Sequence, residues 1–503
     1  MSRSSSYREP VSLRELFVEA RFCGAADVAA RRCTSDSRTC RAGDVFVAVR
    51  GTQADGHDFA DEAVARGAVA VVAERPLSLG VPVCVVPDTR EALGRLCQAL
   101  AGDPSRTLRA IGVTGTNGKT TTTRLIASVL DAAGYHAARL DTLEYFDGEQ
   151  AAPAELTTPS APVLADWLAR AVDAGCSHAV VEVSSHAIDQ RRIAGIELSA
   201  ACLTNLRRDH LDYHETLRNY HAAKSRIFHQ LRPDGIAVVN GDDPTSLEYA
   251  PLIPCGVLSV AVHRSANVTA EVLERTKSEQ TFLLTAGEMT AVVRTTIIGD
   301  HHVENCLIAA AVGLAEGIDL ATIVRGLENV RSVPGRLERI ECGQPFGVYV
   351  DYAHTPDALA VALSTLRQVT AGRVICVFGA GGDRDSTKRA PMGRVVEQAA
   401  DVAIITNDNP RHEDPRSIAA AVLQGFERPA MASYVPDREA AICAALKQAT
   451  ADDCVLIAGR GHEPLQSIGG QQIPLDDRDV ARRFLYNLEP ASPYASLMTV
   501  SNS

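Results

Sequence analysis

Short apolar runs recur along the chain, and most are followed by Gly, Asn, Asp or Ser and then by a helical pattern. They include Ala68-Val69-Ala70-Val71-Val72, Ala110-Ile111-Gly112-Val113, Ala179-Val180-Val181-Glu182-Val183, Ile236-Ala237-Val238-Val239, Val374-Ile375-Cys376-Val377-Phe378, Val402-Ala403-Ile404-Ile405 and Val455-Leu456-Ile457-Ala458. A run that is apolar throughout, rather than at alternate positions, suits a strand buried on both faces. Such runs alternating with helices predict α/β units on a parallel sheet. Ligands of these sheets bind at the carboxyl ends of the strands. Chemistry is therefore expected in the residues immediately after each run.

Two stretches interrupt the pattern. Gly102-Asp103-Pro104-Ser105 breaks a helical stretch before a new strand, and Ser332-Val333-Pro334-Gly335 does so again. They divide the chain into blocks 1–106, 107–333 and 334–503, in line with the roughly three domains that its length suggests. From Pro490 onward the chain is rich in Ser and is expected to fray.

With 46% hydrophobic and 22% charged residues, the chain reads as globular. Its net charge of −12 argues against nucleic acid as a main partner, while leaving room for a small basic pocket for an anionic metabolite. No apolar segment follows Met1-Ser2-Arg3-Ser4, and no run approaches the roughly eighteen apolar residues of a membrane span. Neither a signal peptide nor a membrane segment is expected. The thirteen cysteines are odd in number and contain no Cys-x-x-Cys, which predicts buried thiols in a reducing cytoplasm.

The strand expected over 108–113 leads into Gly115-Thr116-Asn117-Gly118-Lys119-Thr120-Thr121, followed by a helical stretch over 124–133. Glycines let backbone N–H groups turn around a phosphate, Lys119 neutralises the outer phosphates, and Thr120 can ligate Mg²⁺. Five residues separate Gly112 from Gly118, one more than usual, so this is a variant phosphate loop. Alone it does not choose between kinase, switch and ligase.

Glu182 ends a buried strand in the same block, a good place for a Mg²⁺ ligand. After the apolar stretch 200–203 come Thr204-Asn205-Leu206 and then Arg207-Arg208-Asp209-His210-Leu211-Asp212-Tyr213-His214. Two Arg, two Asp and two His in eight residues are costly to bury without partners, so a polar site is expected. Lys224, downstream in a helical pattern, reads by spacing alone as a solvated side chain.

These motifs together resemble those of the Mur ligases of peptidoglycan precursor synthesis. The resemblance includes Glu182-Val183-Ser184-Ser185-His186 and Ala223-Lys224. It continues through Val333-Pro334-Gly335-Arg336-Leu337-Glu338, Asp351-Tyr352-Ala353-His354-Thr355-Pro356 and Gly459-Arg460-Gly461-His462-Glu463, and so spans all three blocks. It is strongest to the branch that adds the third amino acid to UDP-MurNAc-L-Ala-D-Glu. It implies an N-terminal UDP-substrate domain, a central phosphate-loop ATPase domain and a C-terminal Rossmann-like amino-acid domain. It also implies that Lys224 is carbamoylated by CO₂, becoming an anion that joins His210 at a second Mg²⁺, with Thr120 and Glu182 at the first. Two metals would offset the repulsion between phosphate and acceptor carboxylate.

By the same matching, Ser35, Ser37, Thr52, Gln53 and Ala54 contact UDP, and Thr157, Thr158, Ser184, Gln190 and Arg192 hold the muramoyl dipeptide. Asn305, Arg336 and Asp351 join Gly115 to Thr121 around ATP. His302 stands where the family commonly has Asn, and Arg460 where it has Lys. Asp408-Asn409-Pro410-Arg411 follows the strand 402–405; as a bare tetrapeptide it is a turn, but it resembles the motif of diaminopimelate-adding members. Arg384, Asp408, Asn409, Pro410, Arg411, Gly459 and Glu463 are then the implied contacts of meso-diaminopimelate. A guanidinium at Arg411 recognises the distal carboxylate that lysine lacks. The resemblance implies an ATP-dependent amide ligase acting through an acyl phosphate, as a cytoplasmic monomer. The rivals are a lysine-adding relative, a folylpolyglutamate synthase-like ligase and a non-catalytic nucleotide switch.

Overall fold

The computed structural model describes residues 9–51 and 54–487. Among the described residues, three large sheets follow one another along the chain, along with two small two-stranded ones. The first has strands Arg21–Cys23, Val83–Val85, Ala70–Ala73, Val45–Val47 and Cys33–Thr34 in that spatial order, parallel except for Arg21–Cys23. The second is eleven-stranded. Its parallel centre runs Ala137–Leu140, His178–Glu182, Arg109–Thr114, Leu198–Leu203, Leu231–Asn240, Gly256–Ala261. The third sets parallel strands Gly347–Asp351, Cys454–Ala458, Val374–Phe378, Val402–Ile405 and Ala432–Tyr434 side by side, with Glu338–Arg339 antiparallel at one edge. This is a three-domain α/β architecture.

The apolar runs fall on these strands because both faces are covered. Over the central sheet, Leu125, Ile126, Val129 and Leu130 of helix Lys119–Ala132 form one core with helix Asp300–Ala315. Leu164, Trp167 and Leu168 of helix Ala161–Asp173 cover the opposite face.

The structure departs from the sequence reading in two places. The helix after the phosphate loop begins at Lys119, a turn earlier than the pattern from 124 suggests. Thr120 to Thr123 are β-branched or weak helix formers, but all four are buried, and packing overrides propensity. The central sheet is also not purely parallel. Val268–Arg275, Gln280–Ala286 and Met289–Thr295 form an antiparallel meander at its edge, where Gln280–Ala286 buries alternate residues. Alternation of this kind is the mark of a sheet covered on one face.

Helix Leu320–Asn329 crosses Lys119–Ala132 at Gly326, where a Cβ would lie 2.5 Å from the Val129 Cα; Ser128 Oγ donates to the Gly326 carbonyl at 2.7 Å. Gly326→Ala gains about 1 kcal/mol of helix propensity but must push two helices apart, at a cost of roughly 1–3 kcal/mol. A lower urea midpoint is expected; an unchanged or higher one would show that the crossing is not close-packed.

Candidate active site

The phosphate loop begins where strand Arg109–Thr114 ends. Gly118 has φ +84°, and a Cβ there would meet Asn305 Oδ1 at 2.4 Å, so only glycine lets the loop close against helix Asp300–Ala315. The next strand over holds the loop's shape. Thr116 N donates to the Asn205 carbonyl (2.9 Å), Asn117 N to Asn205 Oδ1 (3.0 Å), and Thr204 Oγ1 to the Asn117 carbonyl (2.6 Å). The Thr204-Asn205 pair is thus the cradle of the phosphate loop. Lys119 Nζ donates to the Thr116 carbonyl at 2.8 Å, folded back along its own loop.

Glu182, 1% exposed, ends strand His178–Glu182 beside this loop. Thr120 Oγ1 (2.9 Å), Thr142 N (3.0 Å) and Thr142 Oγ1 (3.0 Å) all donate to its Oε2. All three bonds go to this one oxygen of the carboxylate. Arg336, from beyond the central sheet, donates to Thr120 Oγ1 at 3.1 Å and lies over the Tyr352 ring. Asp351 accepts from the backbone N–H groups of Leu337 and Ala353, and burial pushes its carboxyl up.

Lys224 is not a solvated side chain. It is 1% exposed, its Nζ donates to the Gly115 carbonyl at 2.6 Å, and it sits over the Tyr220 ring. Burial, then the charge of Lys119, push its ammonium well below the ordinary lysine range. His210 has φ +51° and packs edge-on to His186 with ring centroids 4.8 Å apart. Burial lowers its pKa to about 3, which leaves a neutral imidazole at neutral pH.

Thr116 to Thr121, Thr157, Glu182, Ser184, His210, Lys224, Asn305, Arg336 and Asp351 line one cleft of about 440 Å³. Thr158, Gln190 and Arg192 adjoin it as a bonded set. Arg192 donates to Gln190 Oε1 (Nη2, 2.7 Å) and to the Thr158 carbonyl (Nη1, 2.7 Å), and Thr158 Oγ1 donates to the Glu182 carbonyl (2.8 Å). Arg192 is thus already engaged by protein groups.

The candidates for the uridine end and for the added amino acid do not line this cleft. Ser37 Oγ donates to Glu62 Oε2 at 2.8 Å, Ser35 and Ala54 are exposed, and Thr52 and Gln53 lie outside the described residues. At the carboxyl edge of the third sheet, Asn409 Nδ2 donates to Glu463 Oε2 (2.7 Å), and Arg411 Nη1 to the Gly382 carbonyl (2.6 Å). Asp408 Oδ2 is buried without a partner beside Gly459, where a Cβ would lie 2.4 Å from it. Pro410 follows, and Arg384 is exposed in the neighbouring loop. Tyr352 joins the two regions: it lines the cleft, and its hydroxyl donates to Glu463 Oε1 at 3.5 Å.

Sequence profiles agree with this geometry. One described as "Mur ligase family, catalytic domain" matches residues 31–100, "Mur ligase middle domain" matches 113–313, and "Mur ligase, glutamate ligase domain" matches 335–461. The UDP-N-acetylmuramoyl-L-alanyl-D-glutamate–2,6-diaminopimelate ligase of Geobacillus thermodenitrificans (strain NG80-2) is 46% identical over 89% of this chain and 93% of its own. The chain belongs to the Mur ligase family. The like-named ligase of Xylella fastidiosa (strain 9a5c) is 43% identical over 92% of this Mur ligase and 95% of its own length. A solved structure of that name has TM-score 0.68 and 32% identity, covering 95% of this chain and 99% of that one. The Mycobacterium tuberculosis folylpolyglutamate synthase shares the fold, with TM-score 0.61 over 80% of this chain and 96% of its own.

Three groups in this Mur ligase escape the sequence reading. Thr142 follows strand Ala137–Leu140, and a lone Thr carries no signal beyond that position. Lys388 brings positive charge to Asp209, and half-buried His354, its own pKa lowered by desolvation, faces it too. Arg208 Nη2 donates to Thr387 Oγ1 at 3.1 Å, so the loop before helix Arg389–Ala399 meets the middle domain there. His354 stands in the family-like stretch Asp351 to Pro356, which by itself assigns it no role.

Glu304, in the cleft wall, accepts from Asn240 Nδ2 at 2.9 Å, and burial pushes its carboxyl up to about 7. The native state therefore holds a proton there that the unfolded chain has lost. This contribution is full below about pH 4.5 and lost as pH rises through 7. Glu304→Gln should match wild type in Tm near pH 4.5 and exceed it by a few degrees at pH 8, from roughly 1–3 kcal/mol. A Tm difference that stays constant between these pH values would refute the assignment.

Proposed function

We propose that this Mur ligase joins meso-2,6-diaminopimelate to the D-Glu γ-carboxyl of UDP-MurNAc-L-Ala-D-Glu, using ATP, in peptidoglycan precursor synthesis. The observation that carries the reading is the continuity from the phosphate-loop cleft through Tyr352 to Glu463, Asn409 and Arg411. A nucleotide switch has no use for the second half of that arrangement. The blocks 1–106, 107–333 and 334–503 would bind UDP substrate, ATP and amino acid respectively. With ATP, UDP-MurNAc-L-Ala-D-Glu and diaminopimelate as partners, the reading places the enzyme in the cytoplasm as a monomer. Among the described residues, no helix is long and apolar enough to cross a membrane.

In this reading the phosphate-loop N–H groups and Lys119 hold the outer phosphates of ATP, and Asn305, Arg336 and Asp351 hold the rest of the nucleotide. Thr157, Thr158, Ser184, Gln190 and Arg192 orient the muramoyl dipeptide, and Ser35, Ser37, Thr52, Gln53 and Ala54 its uridine end. The carboxylate takes the γ-phosphoryl group as the bond to ADP breaks. The diaminopimelate amine then attacks the acyl carbon, loses a proton, and the C–O bond to phosphate breaks. Arg384, Asp408, Asn409, Pro410, Arg411, Gly459 and Glu463 place that amine. Positioning and charge neutralisation do most of the work.

The donor chemistry fits Mg²⁺. Glu182 and Thr120 offer hard oxygens 2.9 Å apart with one carboxylate oxygen unclaimed, and Mg²⁺ completes its shell with water and phosphate. At the second site, the depressed pKa of Lys224 supports the carbamate: a neutral amine adds CO₂ and releases one proton, whereas an ammonium has no lone pair to attack with. That carbamate and neutral His210 would hold the second ion. Bound metal offsets the negative charge between phosphate and carboxylate.

Two measurements test this reading. A charge-assisted bidentate pair at Arg411 is worth roughly 1.5–3 kcal/mol. Arg411→Ala should therefore cut kcat/KM for diaminopimelate about tenfold to a hundredfold and change lysine use far less. If both fall by one factor, Arg411 does not select the amino acid. Lys224→Ala should lose most activity, with no rescue by bicarbonate and partial rescue by a short carboxylic acid. A folded variant at the wild-type rate would refute the carbamate.

A further inference from the structure

Beneath the loops that carry Asp408–Arg411 and Gly459–Glu463 lies a buried polar frame that no step of the reaction uses. Arg438 opens helix Arg438–Gln448 and Asp477 opens helix Asp477–Tyr486. Their side chains are fully buried and paired two-to-two: Nε to Oδ1 at 2.8 Å and Nη2 to Oδ2 at 2.7 Å. The same guanidinium also bonds the backbone at two separate strand ends. Nη2 donates to the Ala458 carbonyl at 2.9 Å, at the end of strand Cys454–Ala458. Nη1 donates to the Asn407 carbonyl at 3.4 Å, just past strand Val402–Ile405. Those strands are not neighbours, because Val374–Phe378 lies between them. Each is laddered to that middle strand, and a backbone bridge from Arg411 to Ile468 joins the loops further out; at the strand ends themselves, Arg438 makes the link.

A second side chain shares the Asn407 carbonyl and ties the next one along. Gln466 Nε2 donates to Asn407 O at 3.1 Å and to Asp408 O at 2.6 Å. Gln466 belongs to the hairpin Leu465–Ile468 and Gln471–Pro474, which comes directly after Glu463. Asn409 Oδ1 completes the tie by accepting from Ser467 N at 2.9 Å.

We propose that Arg438, braced by Asp477 and seconded by Gln466, is a positioning residue that sets the distance between the two amino-acid-binding loops. The inference rests on the diaminopimelate reading above. In that reading Arg411 takes the distal carboxylate from one loop; Glu463, an acidic contact on the other, suits an ammonium group of the same substrate. An amino acid charged at both ends is measured by the gap between them. Lysine, which engages no carboxylate at Arg411, is measured less strictly. Arg438 touches neither, yet it decides how well both ends are met at once.

The test compares Arg438→Lys and Gln466→Met with wild type. Lysine keeps the charge but cannot pair two-to-two with Asp477 while bonding two carbonyls; methionine keeps the shape of Gln466 and removes its donor. Each folded variant should raise KM for diaminopimelate roughly tenfold or more, lower the diaminopimelate-to-lysine ratio of kcat/KM, and leave KM for ATP and for the UDP substrate within about twofold. If all three KM values rise together, or the ratio holds, the frame is structural only and the inference is overturned. Should Arg438→Lys fail to fold, Gln466→Met decides alone, since it leaves the buried ion pair intact. Wild type that prefers lysine would sink the diaminopimelate reading instead; the variants would then still report, through the KM of the amino acid used, whether the frame spaces the loops.

Discussion

The register of three adjacent parallel strands governs the catalytic half of the molecule. Val113 lies opposite Glu182 on one side and Cys202 on the other, so the chain leaves all three strands at nearly the same level. The phosphate loop, the Glu182 carboxylate and the Thr204-Asn205 cradle therefore emerge side by side. A slip of one residue would turn Glu182 to the other face of the sheet and carry its carboxylate away from Thr120. Thr114 Oγ1 guards the alignment by donating to the Val183 carbonyl at 2.7 Å, just where the ladder ends.

Around that edge, burial and chemistry are linked. Desolvation depresses the protonation of both Lys119 and Lys224; the charge of Arg336 adds to the effect at Lys119, and that of Lys119 adds to it at Lys224. Desolvated cations of this kind are costly to a resting protein. In the reading proposed above, ATP phosphate would bring further negative charge to Lys119, and Lys224 would give up its proton and so gain the lone pair that attacks CO₂.

Much of this is legible in the sequence, for identifiable reasons. Strands buried on both faces carry unbroken apolar runs, so Val374–Phe378 and Val402–Ile405 can be placed to the residue. The phosphate loop declares itself because glycine and lysine are needed at fixed spacing. The edge meander stays hidden, since its strands alternate and their polar members mask the run. Lys224 reads as solvated because spacing along a helix does not say what the helix packs against; the carbonyl its ammonium meets belongs to Gly115, 109 positions earlier. Arg438 and Asp477 give no signal at all: each sits at a helix start, and their partnership exists only in three dimensions.

The nucleotide site is stitched together from far-apart stretches of chain. Thr122 bonds Asn305 across 183 positions, and Thr120 bonds Arg336 across 216. A ribosome makes the phosphate loop long before it makes either partner. Synthesis runs at roughly 5–20 residues per second, so the loop waits on the order of ten seconds or more for Arg336. During that interval the nascent chain has a glycine-rich turn but no formed pocket. Until Arg336 has been joined, the chain lacks part of the set of contacts that closes around Thr120.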